Sequence, residues 1–383
     1  MKRRLVIITE IISPYRIPLF NVLSEQPQVD LHVIFLAETD PTLRQWKVYK
    51  EEIRFSYEVL PSWRKRIAGY NLLLNRGLGR ALLAAGPDAI LCGGYSYVAS
   101  WQALWWARNR SLPFFLWSES NLQDIRKGRA LVELLKSEFF RQCSGFVVPG
   151  KSAVQYLLSY GMKRERIFMA LNAVDNDLFA KKAAAARANA DQLRIDLALP
   201  ERYFLFVGRL VREKGIFELL SAYSSLDGGI RQQVGLVFAG DGPCRAELES
   251  RASSISPGLI KFVGFTQREQ LAAYYALGEA MVLPTYSDPW GLVVNEAMAC
   301  GLPVIVSNVA GCAPDLVTDS WNGKIVKPGE IESLSLAMRT ISGCPGERLR
   351  MRANSLQRIA EYSPQIWSGG MLRMLESLGE SRG

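Results

Sequence analysis

Histidine is almost absent from this chain of 383 residues: the single one, His32, lies inside the apolar run LHVIFL. A mechanism built on a histidine dyad is thereby excluded, and a lone histidine in such a run reads as a strand residue. The six cysteines (Cys92, Cys143, Cys244, Cys300, Cys312 and Cys344) form no CxxC pair and no cluster with histidine. That spacing argues against a structural zinc or a disulfide framework, and the thiols read as reduced and structural. Long hydrophobic runs are also missing, since no apolar stretch approaches the roughly 20 residues that a spanning helix requires. Lys2, Arg3 and Arg4 before LVII have the look of a signal-peptide start. Glu10 interrupts that run, no small-residue cleavage site follows and Pro14 ends it, so a first buried strand is expected, in a protein that stays in the cytoplasm.

Hydrophobic residues make up 49% and charged residues 22%, an ordinary soluble globular balance, and the length suggests two domains. The charge is distributed unevenly. Residues 1–175 hold 24 Lys and Arg against 15 Asp and Glu, whereas the remainder holds 22 of each, so the whole excess of +9 lies in the first half. A basic half joined to a neutral one points to an anionic partner: an acidic lipid surface, a phosphorylated acceptor or nucleic acid. No nucleic-acid motif is present, so nucleic acid is not expected as the partner.

Short apolar runs (RLVIIT, LHVIFL, DAILCG, FFLW, GFVVPG) alternate with helically spaced segments through the first half, as in a parallel sheet covered on both faces. The rhythm restarts with YFLFVG, VGLVFAG, IKFVGF, AMVLPT and PVIVS. An α/β protein of two Rossmann-like domains is expected: 1–175, a linker over 176–195, then 196–363. The linker expectation rests on FAKKAAAARANADQLR, which is Ala-rich without a core pattern and reads equally as a long surface helix. Tyr362-Ser363-Pro364 breaks the chain before a last amphipathic helix in 364–383.

Three strand ends of the second half carry chemistry. In VGRLVREKGI, Gly208 lets backbone approach a ligand, and Arg209 and Lys214 suit a diphosphate near a helix start; a plain turn with solvated cations is the competing reading. FAGDGP, with Gly240 and Gly242, is a tight turn expected on the same edge. PTYSDPWGLVVNEAMACGLPVIVS places Asp288 and Gly291 in a loop and Glu296 on the helix that follows.

This last segment resembles the retaining glycosyltransferases of family 4, whose hallmark is two acidic residues with seven between them. Asp288 and Glu296 match that spacing, LNAVDNDLF (171–179) looks like the segment that closes the family's first domain, and Arg209 and Lys214 match its cation pair. The resemblance implies a GT-B fold, two Rossmann-like domains facing a central cleft with the C-terminal helix crossing back to the first. It implies a nucleoside-diphosphate sugar as donor and retention at the anomeric carbon. N–H groups of Gly291, Leu292 and Val293 would then meet the diphosphate, Glu296 the ribose hydroxyls and Asp288 the sugar. The family usually has Glu where Asp288 stands. No cofactor or metal is expected: Asp175-Asn176-Asp177 spells a metal-binding string of a different glycosyltransferase fold, but here reads as a surface turn.

The first half is expected to hold the acceptor. Arg16, in EIISPYRIPLF, sits where the family carries a glycine-rich loop; it could reach a phosphate or be a solvated helix-start residue. Glu119, in FFLWSESN, substitutes for a histidine that relatives use, either orienting the sugar or acceptor hydroxyl or capping the next helix. Trp63, Arg64, Lys65 and Arg66, within SWRKRIAGYNLLLNRGLGR, read as a segment facing an anionic membrane, while Trp101, Trp105 and Trp106 fit core packing equally well. A lipid-linked, phosphate-bearing acceptor of cell-surface polysaccharide assembly is favoured over a soluble one. The rivals are an epimerase or phosphorylase on the same architecture, and a non-catalytic binding protein.

Overall fold

The computed structural model describes residues 2–40, 45–67, 70–124, 130–255 and 259–380; the side chains of 66, 67, 70, 71, 124, 130, 131 and 380 fall outside the description. The chain divides into two compact units, Met1–Ala173 with Pro364–Gly383, and Val174–Ser363.

The first unit is built on seven parallel strands: β1 (Arg3–Thr9), β2 (Val29–Phe35), β3 (Ser56–Val59), β6 (Ala89–Gly93), β7 (Phe114–Trp117), β8 (Gly145–Val148) and β9 (Ile167–Met169). Between β3 and β6 stands an antiparallel hairpin, β4 (Ser62–Ile67) and β5 (Tyr70–Asn75). The sheet order is β3-β2-β1-β6-β7-β8-β9. Both faces are covered, which is why β1 reads as a continuous apolar run. Leu5 and Ile7 enter one core cluster, and Val6 and Ile8 enter the other. His32 lies in β2 as the run suggested, its Nδ1 2.8 Å from Ser56 Oγ.

The second unit has six parallel strands: β10 (Arg202–Val207), β11 (Val234–Ala239), β12 (Ile260–Gly264), β13 (Ala280–Leu283), β14 (Val304–Ser307) and β15 (Gly323–Val326), ordered β12-β11-β10-β13-β14-β15. In each sheet the chain runs outward for three strands and then returns to the other side of the first. That creates a switch point at β1/β6 and another at β10/β13, where parallel sheets open a crevice at their carboxyl edge.

The segment 176–195 is not a linker. Helix Asn176–Ala188 buries Phe179, Ala183 and Ala186 and packs within the second unit against the helices Arg268–Leu277 and Leu292–Ala299. Alanine occupies its outward positions as well as its inward ones, so the periodicity is invisible in the sequence although the packing is close. Asp175 caps this helix, accepting from Leu178 N at 3.0 Å, and Asn176 donates to the carbonyls of Ile359 and Tyr362. The Asp-Asn-Asp string is thus used in helix ends.

The last helix, Pro364–Glu380, belongs to the first unit. Trp367 is fully buried, 5.9 Å from the Phe20 ring and 5.5 Å from Trp117, and Gly370 admits the backbone of Met169 and Ala170 so closely that a Cβ would collide with both. Among the described residues no helix is long and apolar enough to cross a membrane. Trp367→Ala is expected to lower the stability of the first unit by about 3–5 kcal/mol, through lost burial and an unfilled cavity. Urea unfolding of the full chain would show this as a shift of the transition midpoint, larger than for the exposed Leu336→Ala.

Candidate functional site

The carboxyl edge of the second sheet is shaped by glycines. A Cβ on Gly240 would strike the carbonyl oxygen of Gly208, and one on Gly242 would crowd Leu210. Gly215, at φ +68°, lies against the carbonyl oxygen of Pro284, so the turn after β10 and the loop after β13 are in backbone contact. Hydrogen bonds lock that contact: Tyr286 N donates to Glu213 O at 2.8 Å, and Thr285 Oγ1 donates to the same oxygen at 2.9 Å. Lys214 and Asp288 are consequently brought together, Nζ to Oδ2 at 2.6 Å, both largely shielded from solvent.

Arg209 follows Gly208 at the end of β10 and is exposed, with no carboxylate partner among the described residues. The Asp288 loop is held from its other side, where Gly311 N donates to Asp288 O at 2.9 Å and Cys312 N to Trp290 O at 3.0 Å. Trp290 is buried and its indole N–H donates to Asn295 Oδ1 at 2.8 Å, pinning the loop to the helix Leu292–Ala299. Gly291, at φ +96°, turns the chain into that helix, whose first-turn N–H groups at Leu292 and Val293 have no acceptor within it. A concentration of N–H groups and cations at the switch point suits an anion, and a diphosphate in particular.

Glu296 lies one turn further along, half-buried, with Tyr275 donating its hydroxyl to Oε2 at 2.8 Å. Burial pushes its carboxyl up to about 7, and the Tyr275 hydroxyl offsets only part of that. Tyr275 has no signal in the sequence as a site residue, because it comes from the helix Arg268–Leu277, outside the motif.

In the first unit, Arg16 is not a solvated helix-start residue. Its guanidinium lies 4.2 Å over the Trp117 ring and donates to Thr9 Oγ1 and Glu119 Oε1, each at 3.1 Å. The carboxyl ends of β1 and β7 are joined by this pair, and the Ser118 hydroxyl beside it is buried with no partner among the described residues. Glu119 therefore pairs with Arg16, a link that sequence alone did not suggest.

The segment expected to face an anionic membrane needs one correction. It is a hairpin, and alternation turns Arg64 inward onto Glu10 and Asp40, where its side chain is 16% exposed; two carboxylates at a strand end require a cation. Trp63 and Lys65 stay on the exposed face, and the Arg66 side chain lies outside the described residues. Trp105 is exposed, whereas Trp106 is core and Trp101 packs on Phe139.

The raised Glu296 carboxyl has a consequence for stability. The folded state holds its proton up to about 7, whereas an unfolded chain releases it near 4.5, so the folded state binds the extra proton between those values and loses stability as pH rises through them. Glu296→Gln removes that slope. Urea unfolding at pH 5 and pH 8 is expected to show the variant gaining on the parent at the higher pH, and equal differences at both would count against the buried carboxyl.

Residues 190–358 match the family described as glycosyl transferases group 1. Similar proteins include the sulfoquinovosyl transferase SQD2 of Arabidopsis thaliana, 33% identical over 159 residues, covering 40% of this chain and 29% of that one. The GDP-mannose-dependent alpha-(1-6)-phosphatidylinositol dimannoside mannosyltransferase of Mycobacterium tuberculosis is 32% identical over 196 residues, covering 50% and 48%. The chain thus spans about half or less of the length of these relatives. A solved structure of Anabaena Alr3699/HepE in complex with UDP and glucose superposes with a TM-score of 0.77 at 18% identity, over 98% of this chain and 100% of that one. The second unit is thus similar to the glycosyl transferases group 1 family over residues 190–358, and the chain has the two-domain GT-B fold.

Proposed function

We propose that the chain transfers a sugar from a nucleoside-diphosphate sugar to an acceptor hydroxyl, with retention at the anomeric carbon and without a metal ion. The observation that carries this reading is the convergence of Lys214, Asp288, Arg209, the Gly291 helix start and Glu296 on one sheet edge at a switch point. The fold likeness to a protein solved with UDP and glucose supports a nucleotide-sugar donor.

In this reading the departing diphosphate takes on negative charge as the glycosidic bond breaks. Arg209, Lys214 and the Leu292 and Val293 amides offset that charge from fixed positions, which commonly supplies the largest catalytic contribution. Glu296 accepts from the ribose hydroxyls and Asp288 from the sugar. The leaving phosphate takes the acceptor proton on the same face, so no histidine base is required. Lys214 begins in an ion pair with Asp288, and the incoming diphosphate competes for it. Arg16 and Glu119 serve the acceptor side. A lipid-linked or polysaccharide-precursor acceptor is favoured by the basic first half and by the phosphatidylinositol dimannoside mannosyltransferase among the similar proteins.

Lys214→Ala is expected to lower turnover by about 100-fold or more, beyond the loss of stability from leaving the shielded Asp288 carboxylate unpaired, so turnover is compared at a temperature where the unfolding curve shows the variant folded. Release of nucleoside diphosphate from a panel of nucleotide sugars, with parent and variant compared, measures this. Unchanged release would overturn the assignment, and no release by the parent from any donor would favour a non-catalytic binding protein.

A further inference from the structure

We infer that the outer helical face of the first unit docks on an anionic lipid bilayer. Three helices, Leu78–Ala85, Val98–Arg108 and Ala130–Gln142, cover one face of the first sheet, and their inward residues belong to a single core cluster. The first two pack on each other, and Trp101 of the second lies 4.8 Å from Phe139 of the third, so the three helices are neighbours on that face. That surface carries large apolar side chains: Leu83 and Trp105 are each 67% exposed, and Leu134 and Leu135 are 59% and 49% exposed. Solvated helices ordinarily present charge or small polar groups at such positions, and a cluster of this kind marks an interaction surface.

Across the hairpin and the first two helices the charge is almost of one sign, while the third helix carries Glu133 and Glu138, paired with Lys136 and Arg141. From Ser62 to Ser118 the chain has seven Lys and Arg and one acid, Asp88, whose carboxylate is already taken by the Arg4 backbone N–H. Arg76, Arg80 and Arg108 are exposed and make no ion pair among the described residues. The hairpin adjoins the helix Val98–Arg108 through β5 and adds the half-exposed Trp63. Unpaired arginines interleaved with exposed leucine and tryptophan suit the headgroup boundary of an anionic bilayer, where cations meet phosphates and the apolar bodies enter the acyl region. Nucleic acid would use the arginines and leave the leucines in water, and an acidic protein groove would not explain exposed indoles on two separate elements together with leucines on two more.

The surface uses no residue of the donor site and rests on no step of the chemistry proposed above. Sedimentation of the full chain with vesicles of phosphatidylcholine alone, and with about one-third phosphatidylglycerol, tests it. Binding is expected only to the anionic vesicles and falls with added salt. Each cation at the surface contributes roughly fivefold to partitioning, so Arg80→Gln with Arg108→Gln should weaken it by more than tenfold. Leu83→Gln with Trp105→Gln should weaken it comparably at low salt. All four side chains are exposed, and an unchanged thermal midpoint confirms intact variants. No vesicle binding, equal binding to neutral vesicles, or loss of binding in the arginine variant alone would each overturn the proposal; the last, with competition by single-stranded RNA, would assign the surface to nucleic acid. Nucleoside-diphosphate release, measured without vesicles on the same proteins, should be unaffected, so a failed donor reaction and a failed membrane surface are read separately.

Discussion

The carbonyl oxygen of Pro284 occupies the space where any residue other than glycine at position 215 would put its Cβ, and the arrangement of the second unit depends on that contact. It brings the turn after β10 against the loop after β13, the two strands that flank the switch point. Backbone approach of this kind is stiff, because neither partner can rotate away as a side chain would. Glu213 O accepts from both Tyr286 N and Thr285 Oγ1, so the two segments move as one. The Lys214–Asp288 distance of 2.6 Å follows from this framework and is not a chance meeting of two flexible groups. Two more glycine contacts, Gly240 on Gly208 and Gly242 on Leu210, bring the end of β11 into the same edge.

The first unit solves the corresponding problem with side chains. At the carboxyl ends of β1 and β7, Arg16 is sandwiched between the Trp117 ring and Glu119, and nearby Arg64 neutralises Glu10 and Asp40. Carboxylates in such places are costly to leave unpaired, so each cation there is committed to structure as well as to any ligand. This division explains a feature of the charge count. The first half is strongly basic, but Arg16 and Arg64 are spent on local acids, whereas Lys65, Arg76, Arg80 and Arg108 stay exposed on the hairpin and the outer helices.

Much of this was legible in the sequence and some was not. The strands β1, β6, β10 and β13 are continuous apolar runs because both faces of a parallel sheet are buried, and the segments after β10 and β13 carry Gly208, Arg209, Lys214 and Gly291 of the candidate donor site. The acidic pair Asp288 and Glu296 announces itself by spacing. Tyr275 does not, since it reaches Glu296 from another helix and only tertiary packing makes them neighbours. The hairpin was hidden by its own composition: in SWRKRI Arg64 turns inward while Trp63 and Lys65 stay outside, and a run of cations conceals which of them does. The helix Asn176–Ala188 was hidden by the opposite property, a near absence of contrast between its alanine faces.

Asp288 stands where the family that its segment resembles usually carries glutamate, and the structure indicates why the difference of one methylene has to be felt locally. A shorter side chain can be compensated only if its backbone moves toward the ligand. Here the Asp288 carbonyl accepts from Gly311 N, the next residue's carbonyl, Pro289 O, fills the space a Cβ on Gly311 would take, and Trp290 is buried and tied to Asn295. The loop is held on both sides, against the Lys214 turn and against the segment after β14, so the carboxylate is withdrawn relative to a glutamate on the same backbone. In that withdrawn position the carboxylate meets Lys214 Nζ at 2.6 Å, so the proposed sugar contact has to be made by a group already engaged with the cation that would meet the diphosphate.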